Sequence, residues 1–471
     1  MRAQAGAAAP ADMREASDRV MQIATVDNRR RVPLRTRAKV PALVAAFLFL
    51  MMIPHTIAFY AGPVLVTSYR LFMILIVPVL IVKVMAPDMK FHKSDWLLVG
   101  FSGWACLCIF LNYPFSAAIE RAGQLLLEVT CAYFLGRACF KSLDDIYSIL
   151  NPLFIIVLLA FVIAIPEAIS HRKPLIEYTS QLTGIAPGYY YDGTDVRMGL
   201  RRAQAFFENT ILFGLFSATL VSLIWYMERR PGVRIGKLLV VIGAVLLSIS
   251  TTPIISMMTQ FVMIAIETAT RRIKKRLVNT VVIVAIFALA VNTFTKSGII
   301  GLVINYLAFN RASSYNRILI WDYGLINISA HPIFGMVPEY WVRAPWMKVS
   351  IDNFWIYNGL LSGYVGWALT ALTLIVTLWQ FLAIPKQLIT PRHQNFRLAW
   401  TFIMLSFALC GFCGTFYGKF QPFYYFLVGM GAAAVPMYQR FAAERKKEVE
   451  GEQPARGRQQ PRRRPPLPAT A

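Results

Sequence analysis

Apolar positions in this chain come in long runs rather than in alternation or one-sided helical stripes. Runs of about twenty residues, enough to cross a bilayer core as a helix, fall near 40–61, 64–85, 96–113, 117–138, 147–167, 204–226, 235–250, 254–270, 277–294, 354–383, 397–417 and 420–439. The pattern predicts an all-α polytopic membrane protein with about twelve spans. Connections between the runs are short, except for two long outer segments near 168–203 and 295–353. The stretch 238–269 is apolar apart from an interruption at Ser250, Thr251, Thr252 and Pro253. Its flanks are basic on both sides, with Arg229, Arg230, Arg234 and Lys237 before it and Arg271, Arg272, Lys274, Lys275 and Arg276 after it. Lys and Arg collect on the cytoplasmic side of membrane proteins, so the stretch reads as a hairpin that turns at Pro253.

The same rule orients the rest. Lys83, Lys90 and Lys93 follow the second run, Arg137 and Lys141 the fourth, and Lys386 and Arg392 the tenth. An even number of spans then leaves both termini in the cytoplasm. Residues 1–39, which end in a cluster of arginines, and residues 441–471, rich in Arg and Pro, hold too little apolar surface to fold and read as disordered basic tails. The membrane domain is expected over 40–440.

Composition supports the division. Hydrophobic residues make up 57% of the chain and charged residues 15%, too greasy for a soluble globule, which would expose adhesive patches. The formal net charge is +24. In a soluble chain that excess would point to nucleic acid. Here it lies between and outside apolar runs and serves topology, so no nucleic-acid partner is expected. Cys410 and Cys413 have CxxC spacing but no second Cys or His pair nearby. No metal site and no cofactor are expected, and the six cysteines read as small apolar filler.

The candidate chemistry lies in the outer segments. The first carries Tyr189, Tyr190, Tyr191, Arg197, Arg201 and Arg202; the second carries Arg317, Trp321, His331, Trp341, Arg343 and Asp352. Arginines there run against the topological bias, which calls for a ligand that needs them. Guanidinium forks donate bidentate hydrogen bonds to phosphate oxygens. Tyr and Trp fit either an interfacial belt or stacking against sugar rings, and sequence does not separate the two. Within the fourth run, Glu120, Gln124 and Glu128 share one helix face, and Glu128 lies deep enough to be a functional candidate.

Three segments together resemble a known family. Residues 350–367, SIDNFWIYNGLLSGYVGW, place Asp352 and Asn353 nine residues before Gly363 and Gly366. This resembles the signature of the O-antigen ligase and Wzy polysaccharide polymerase superfamily, in which a His stands at the first position. Upstream, Arg317 to Trp321 followed by His331-Pro332 and Gly335 resembles the family's second segment, and Arg202-Ala-Gln-Ala-Phe-Phe-Glu-Asn209 its first. The resemblance covers roughly 95–440. It implies a GT-C-like membrane enzyme of the bacterial inner membrane that works at the periplasmic face. The reaction implied is metal-independent, inverting transfer of an undecaprenyl-diphosphate-linked glycan onto an acceptor glycan.

By that resemblance Arg202 and Arg317 hold the donor diphosphate, with Arg317 also a catalytic candidate; Arg197, Arg201, Asn353, Trp321 and Glu128 are further candidate binding residues. Asp352 and His331 are the candidate bases. A histidine titrates near 6.5 and a carboxylate near 4, so Asp where ligases carry His makes a weaker base. It can orient an acceptor hydroxyl or hold an arginine. The exchange favours a polymerase of lipid-linked repeats, building exopolysaccharide, capsule or O-antigen. The alternatives are a ligase acting on lipid A-core and, in another class, a lipid-linked-glycan flippase. A chain-length regulator and a flippase are the expected partners beside the bilayer.

Overall fold

The computed structural model describes residues 39–62, 64–186, 195–270, 282, 283, 286 and 311–451. The tails before 39 and after 451, most of the run near 277–294, residues 295–310 of the second outer segment and Tyr189, Tyr190 and Tyr191 lie outside the described residues. The described chain is mostly helical, and five helices are long and apolar enough to cross a membrane: Lys93–Asn112, Leu143–Ser170, Thr210–Met227, Thr251–Ala269 and Phe354–Leu382.

In chain order, α1 (Ala42–Leu50) is followed by an antiparallel hairpin of β1 (Ala58–Ala61) and β2 (Val64–Thr67), in which Ala58 pairs with Thr67. The first run, expected as a helix over 40–61, therefore leaves the helix about halfway along, at Leu50. Pro54 cannot continue a helical ladder, and the apolar sequences AFYA and VLVT pair as strands instead. Helix α2 (Ser68–Val84) leads through a polar turn to α3 (Lys93–Asn112). The next run is continuous but not uniform. Helix α4 (Phe115–Leu125) passes through a π-turn at Leu126–Cys131 into α5 (Ala132–Cys139).

Helices α6 (Leu143–Ser148) and α7 (Leu150–Ser170) form the following long element. The first outer segment is not an open loop, because it holds α8 (Pro174–Thr183) and a two-residue hairpin, β3 (Val196–Arg197) with β4 (Leu200–Arg201). Helices α9 (Thr210–Ala218) and α10 (Leu220–Met227) precede α11 (Pro231–Leu247) and α12 (Thr251–Ala269). The turn expected at Pro253 falls at Ser248–Ser250, and Pro253 sits in the first turn of α12, where its missing N–H costs nothing.

The second outer segment also departs from a loop, since Arg311–Ala330 forms helix α13. Residues 331–353 then fold over a small apolar core of Ile320, Ile328, Trp341, Met347, Ile356 and Leu360. Helix α14 (Phe354–Leu382) is broken at Gly363; α15 (Pro391–Cys410) and α16 (Phe420–Gly451) complete the chain. Helix α16 runs through position 441, the expected start of the C-terminal tail, to Gly451.

Large apolar side chains such as Leu75, Val82, Ile169 and Leu239 face outward, as a lipid-facing surface requires. Ser217, Thr219, Thr370, Thr373 and Thr377 return their hydroxyls to carbonyls four residues earlier, which satisfies polar groups without water. The basic turns gather at one end. There the Tyr147 hydroxyl donates to the Arg392 carbonyl at 2.8 Å, Tyr438 to the His393 carbonyl at 2.6 Å, and Lys237 to the Asn151 side chain at 2.9 Å. The other ends of the same helices carry both outer segments and the turn 411–419.

Candidate functional site

Three arginines converge at the end that carries the outer segments. Arg197 and Arg202 project from either side of the β3–β4 hairpin, and Arg317 comes from α13. The hairpin is held from below. The Glu167 carboxylate at the end of α7 accepts the backbone N–H groups of Gln204 and Ala205, both at 2.9 Å. Buried Lys173 donates to Asp195 at 3.1 Å and to the Gln204 side chain at 2.8 Å. The Arg202 backbone N–H donates to the Asp195 carbonyl, and that of Ala203 to the Leu247 carbonyl. These bonds fix the arginines against the α11–α12 turn, where Arg202 donates to the Ser250 hydroxyl at 2.6 Å and Arg197 to the Ile249 carbonyl at 3.3 Å.

Among the described residues, positive charge is in surplus here. Asp195 is the carboxylate within salt-bridge distance, and it is shared between Lys173 at 3.1 Å and Arg202 at 3.7 Å. Among the described residues, neither Arg197 nor Arg317 has a carboxylate within 4.0 Å. Burial, then the charge of Arg197, and further Arg317, hold the Arg202 guanidinium down to about 10 against the pull of Asp195. Burial and Arg317 likewise lower Arg197. Like charges pressed together raise the free energy of the empty site, and an incoming anion relieves that repulsion.

The rim of the site is formed by the turn 411–419. Tyr417 lies within hydrogen-bonding reach of the Asn209 side chain and feels the charges of Asp352, Glu208 and Arg202. Asp352 is exposed, and no described arginine lies within salt-bridge distance of it. Beneath the rim, buried Lys419 donates to the carbonyls of Ile53 at 2.5 Å and Phe206 at 2.7 Å, and the Lys419 backbone N–H reaches Glu208 at 3.2 Å. Burial drives the Lys419 ammonium down to about 8, against the attraction of Glu208.

The other expected binding residues are committed to the scaffold. Asn353 caps α14: its side-chain oxygen accepts the Ile356 N–H at 2.9 Å, and its amide donates to the Phe412 carbonyl at 2.9 Å, with the residue 1% exposed. The same Phe412 carbonyl accepts the Trp321 indole N–H at 3.3 Å, and the Trp321 ring stacks on Phe412 at 5.3 Å. Arg201 turns inward, away from the cluster, and donates to the carbonyl of His171, the left-handed residue that ends α7. Glu128 also belongs elsewhere. One of its oxygens accepts from the Tyr69 hydroxyl at 3.0 Å and from Arg70 at 2.8 Å, and the other accepts from Gln124 at 3.3 Å.

His331 is exposed and begins the turn His331-Pro332-Ile333-Phe334-Gly335, whose partner is the break in α14. The Tyr364 N–H donates to the Pro332 carbonyl at 2.8 Å and the Met336 N–H to the Leu360 carbonyl at 2.6 Å. Gly335 and Gly363 both have positive φ, +63° and +64°. A Cβ on Gly335 would come within 2.3 Å of the Leu360 carbonyl oxygen, and one on Gly363 within 2.3 Å of the Ile333 carbonyl oxygen. The two motif segments are therefore two halves of one backbone interlock. Trp104 closes it by donating to the Ser362 carbonyl at 3.0 Å and stacking on Phe334.

Sequence reasoning missed Ser250, Tyr417, Asp195 with Lys173, and the Glu208–Lys419 pair. A signal existed for Lys419, a lone cation between two apolar runs. Among the described residues no group of His, Cys, Asp and Glu is arranged to hold a metal ion. No protein-family model matches the sequence, and no curated protein matches it either.

Proposed function

We propose that the chain is a polysaccharide polymerase that joins undecaprenyl-diphosphate-linked repeat units at the periplasmic face of a bacterial inner membrane. In this reading it has about twelve spans and both termini in the cytoplasm, and it works beside a flippase and a chain-length regulator. The observation that carries the reading is the convergence of Arg197, Arg202 and Arg317 with one shared carboxylate, an arrangement suited to a diphosphate. The order of the three motif segments along the chain supports it.

In the proposed reaction an acceptor hydroxyl attacks the anomeric carbon from the face opposite the diphosphate. The new C–O bond forms as the bond to the phosphate oxygen breaks, and the electron pair leaves on undecaprenyl diphosphate. Arg202 and Arg317 stabilise that growing negative charge. Asp352 accepts the hydroxyl's hydrogen bond and takes its proton.

The test is glycan extension by membranes carrying Arg202→Ala or Arg317→Ala, read as radiolabelled polymer length on the carrier lipid. Loss of about 10²–10³-fold is expected for each, with the protein inserted at wild-type levels. Full-length polymer on the carrier lipid from either variant removes that residue from the site. Normal carrier-linked polymer that fails only to reach lipid A-core assigns the ligase reaction instead.

A further inference from the structure

Charge also converges at the opposite end, in a way that topology alone does not require. A cavity of ≈ 470 Å³ is lined by Lys83, Lys90, Arg137, Lys141 and Arg440, against a single lining carboxylate, Asp88. These cations come from four separate places: the end of α2, the turn after it, the end of α5 with the turn beyond, and α16. The positive-inside bias sets the sign of such residues but does not gather them into one concavity. Arg137 is locked in the floor, paired with buried Asp95 at 3.1 Å and donating to the Lys90 carbonyl at 2.9 Å. Among the described residues, Lys83, Lys90, Lys141 and Arg440 have no acidic partner within 4.0 Å. Phe140, Ala433, Pro436 and Met437 add apolar lining between the cations.

We infer that this cavity is a binding site for the phosphate headgroup of an anionic phospholipid. Its volume fits one headgroup, and basic pockets between helices at a cytoplasmic surface suit such headgroups. The lipid, rather than a soluble phosphate, is favoured by what borders the cavity. Beside Lys83 in sequence, Val82 in the last turn of α2 and Met85 just past its end are 71% and 78% exposed, an apolar surface on which an acyl chain can lie. The site is remote from the arginine cluster and does not depend on the polymerase reading.

The test uses the full chain in neutral detergent, titrated with dioleoyl-phosphatidylglycerol or dioleoyl-phosphatidylcholine and read by native mass spectrometry. Phosphatidylglycerol should bind at least tenfold more tightly. Lys90→Gln/Arg440→Gln should cut that preference about tenfold, whereas Lys386→Gln/Lys447→Gln, exposed cations outside the cavity at the same end, should change it less than twofold. If the first double variant fails to fold, as judged by gel filtration, Lys141→Gln carries the same expectation at about threefold. Equal binding of the two lipids, or equal loss in the Lys386/Lys447 variant, overturns the site. Displacement of the lipid by an equal concentration of glycerol phosphate overturns the lipid assignment in favour of free phosphate.

Discussion

The arginine cluster and the glycine interlock lie at the same end of the protein and both contain motif residues, yet they are built in opposite ways. At the interlock backbone meets backbone, and no side chain longer than hydrogen is tolerated at Gly335 or Gly363. At the cluster the backbone is equally well held, but the side chains end in surplus charge, with one carboxylate serving Lys173 and Arg202. The contrast separates two uses of a motif. One stretch of it specifies a shape, and the other keeps unfinished electrostatics for something that arrives later. Regions of the second kind often sacrifice stability for activity.

That division makes different variants fail in different ways. The largest loss of stability is expected from Gly363→Ala. A left-handed φ and a contact with the Ile333 carbonyl combine to cost about 3 kcal/mol or more, seen as a lowered thermal midpoint in detergent and low abundance in membranes. A midpoint within a degree of wild type would dissolve the idea of an interlock. Asp352→Asn should act on the other axis, lowering polymer synthesis about 10²-fold while the midpoint stays put; full activity would reduce Asp352 to a bystander. Asn353→Ala lies between the two regions. Losing the α14 cap and leaving the Phe412 carbonyl with one donor fewer should cost about 1–2 kcal/mol, and activity per folded molecule should be retained. Activity lost without any change in midpoint would return Asn353 to the binding residues.

The smallest effect concerns Lys419 and pH. Its ammonium loses its proton near 8 in the folded protein and near 10.4 when unfolded. Between those values the unfolded state binds more protons, so this residue's contribution makes stability rise with pH. The wild-type midpoint minus that of Lys419→Met should increase from pH 7.5 to 9.5. A flat or falling difference would show that Lys419 is not held in a depressed state.

Much of the bundle was legible because long apolar runs admit few structures: the expected spans at 96–113, 147–167, 254–270 and 354–383 each coincide with a described helix to within a few residues. The errors have physical causes. A short apolar run cannot be told from a helix segment by periodicity, which is why β1 was read into the first span and β2 into the second. Arg317 and the aromatic residues near it made 311–330 look like part of a long outer segment, although a helix can carry charge at one end of a bundle. In the candidate site, Arg202 and Arg317 stood out in the sequence as cations in segments expected on the outer side. The fates of Asn353 and Trp321 were not, because spacing does not reveal whether a polar side chain meets a ligand or the carbonyl of Phe412.

The π-turn at Leu126–Cys131 has a consequence for how the two ends communicate. An α-helix advances about 100° per residue, and a wider turn behaves as an inserted residue, so α4 and α5 are out of phase with each other. Arg121 on one half meets Glu339 at 2.9 Å, beside the outer fold, while Arg137 on the other meets Asp95. Glu128, inside the offset, is turned toward Arg70. One rod thus carries three separately aimed charges, and its aim is set by backbone phase rather than by the identity of the residues between them.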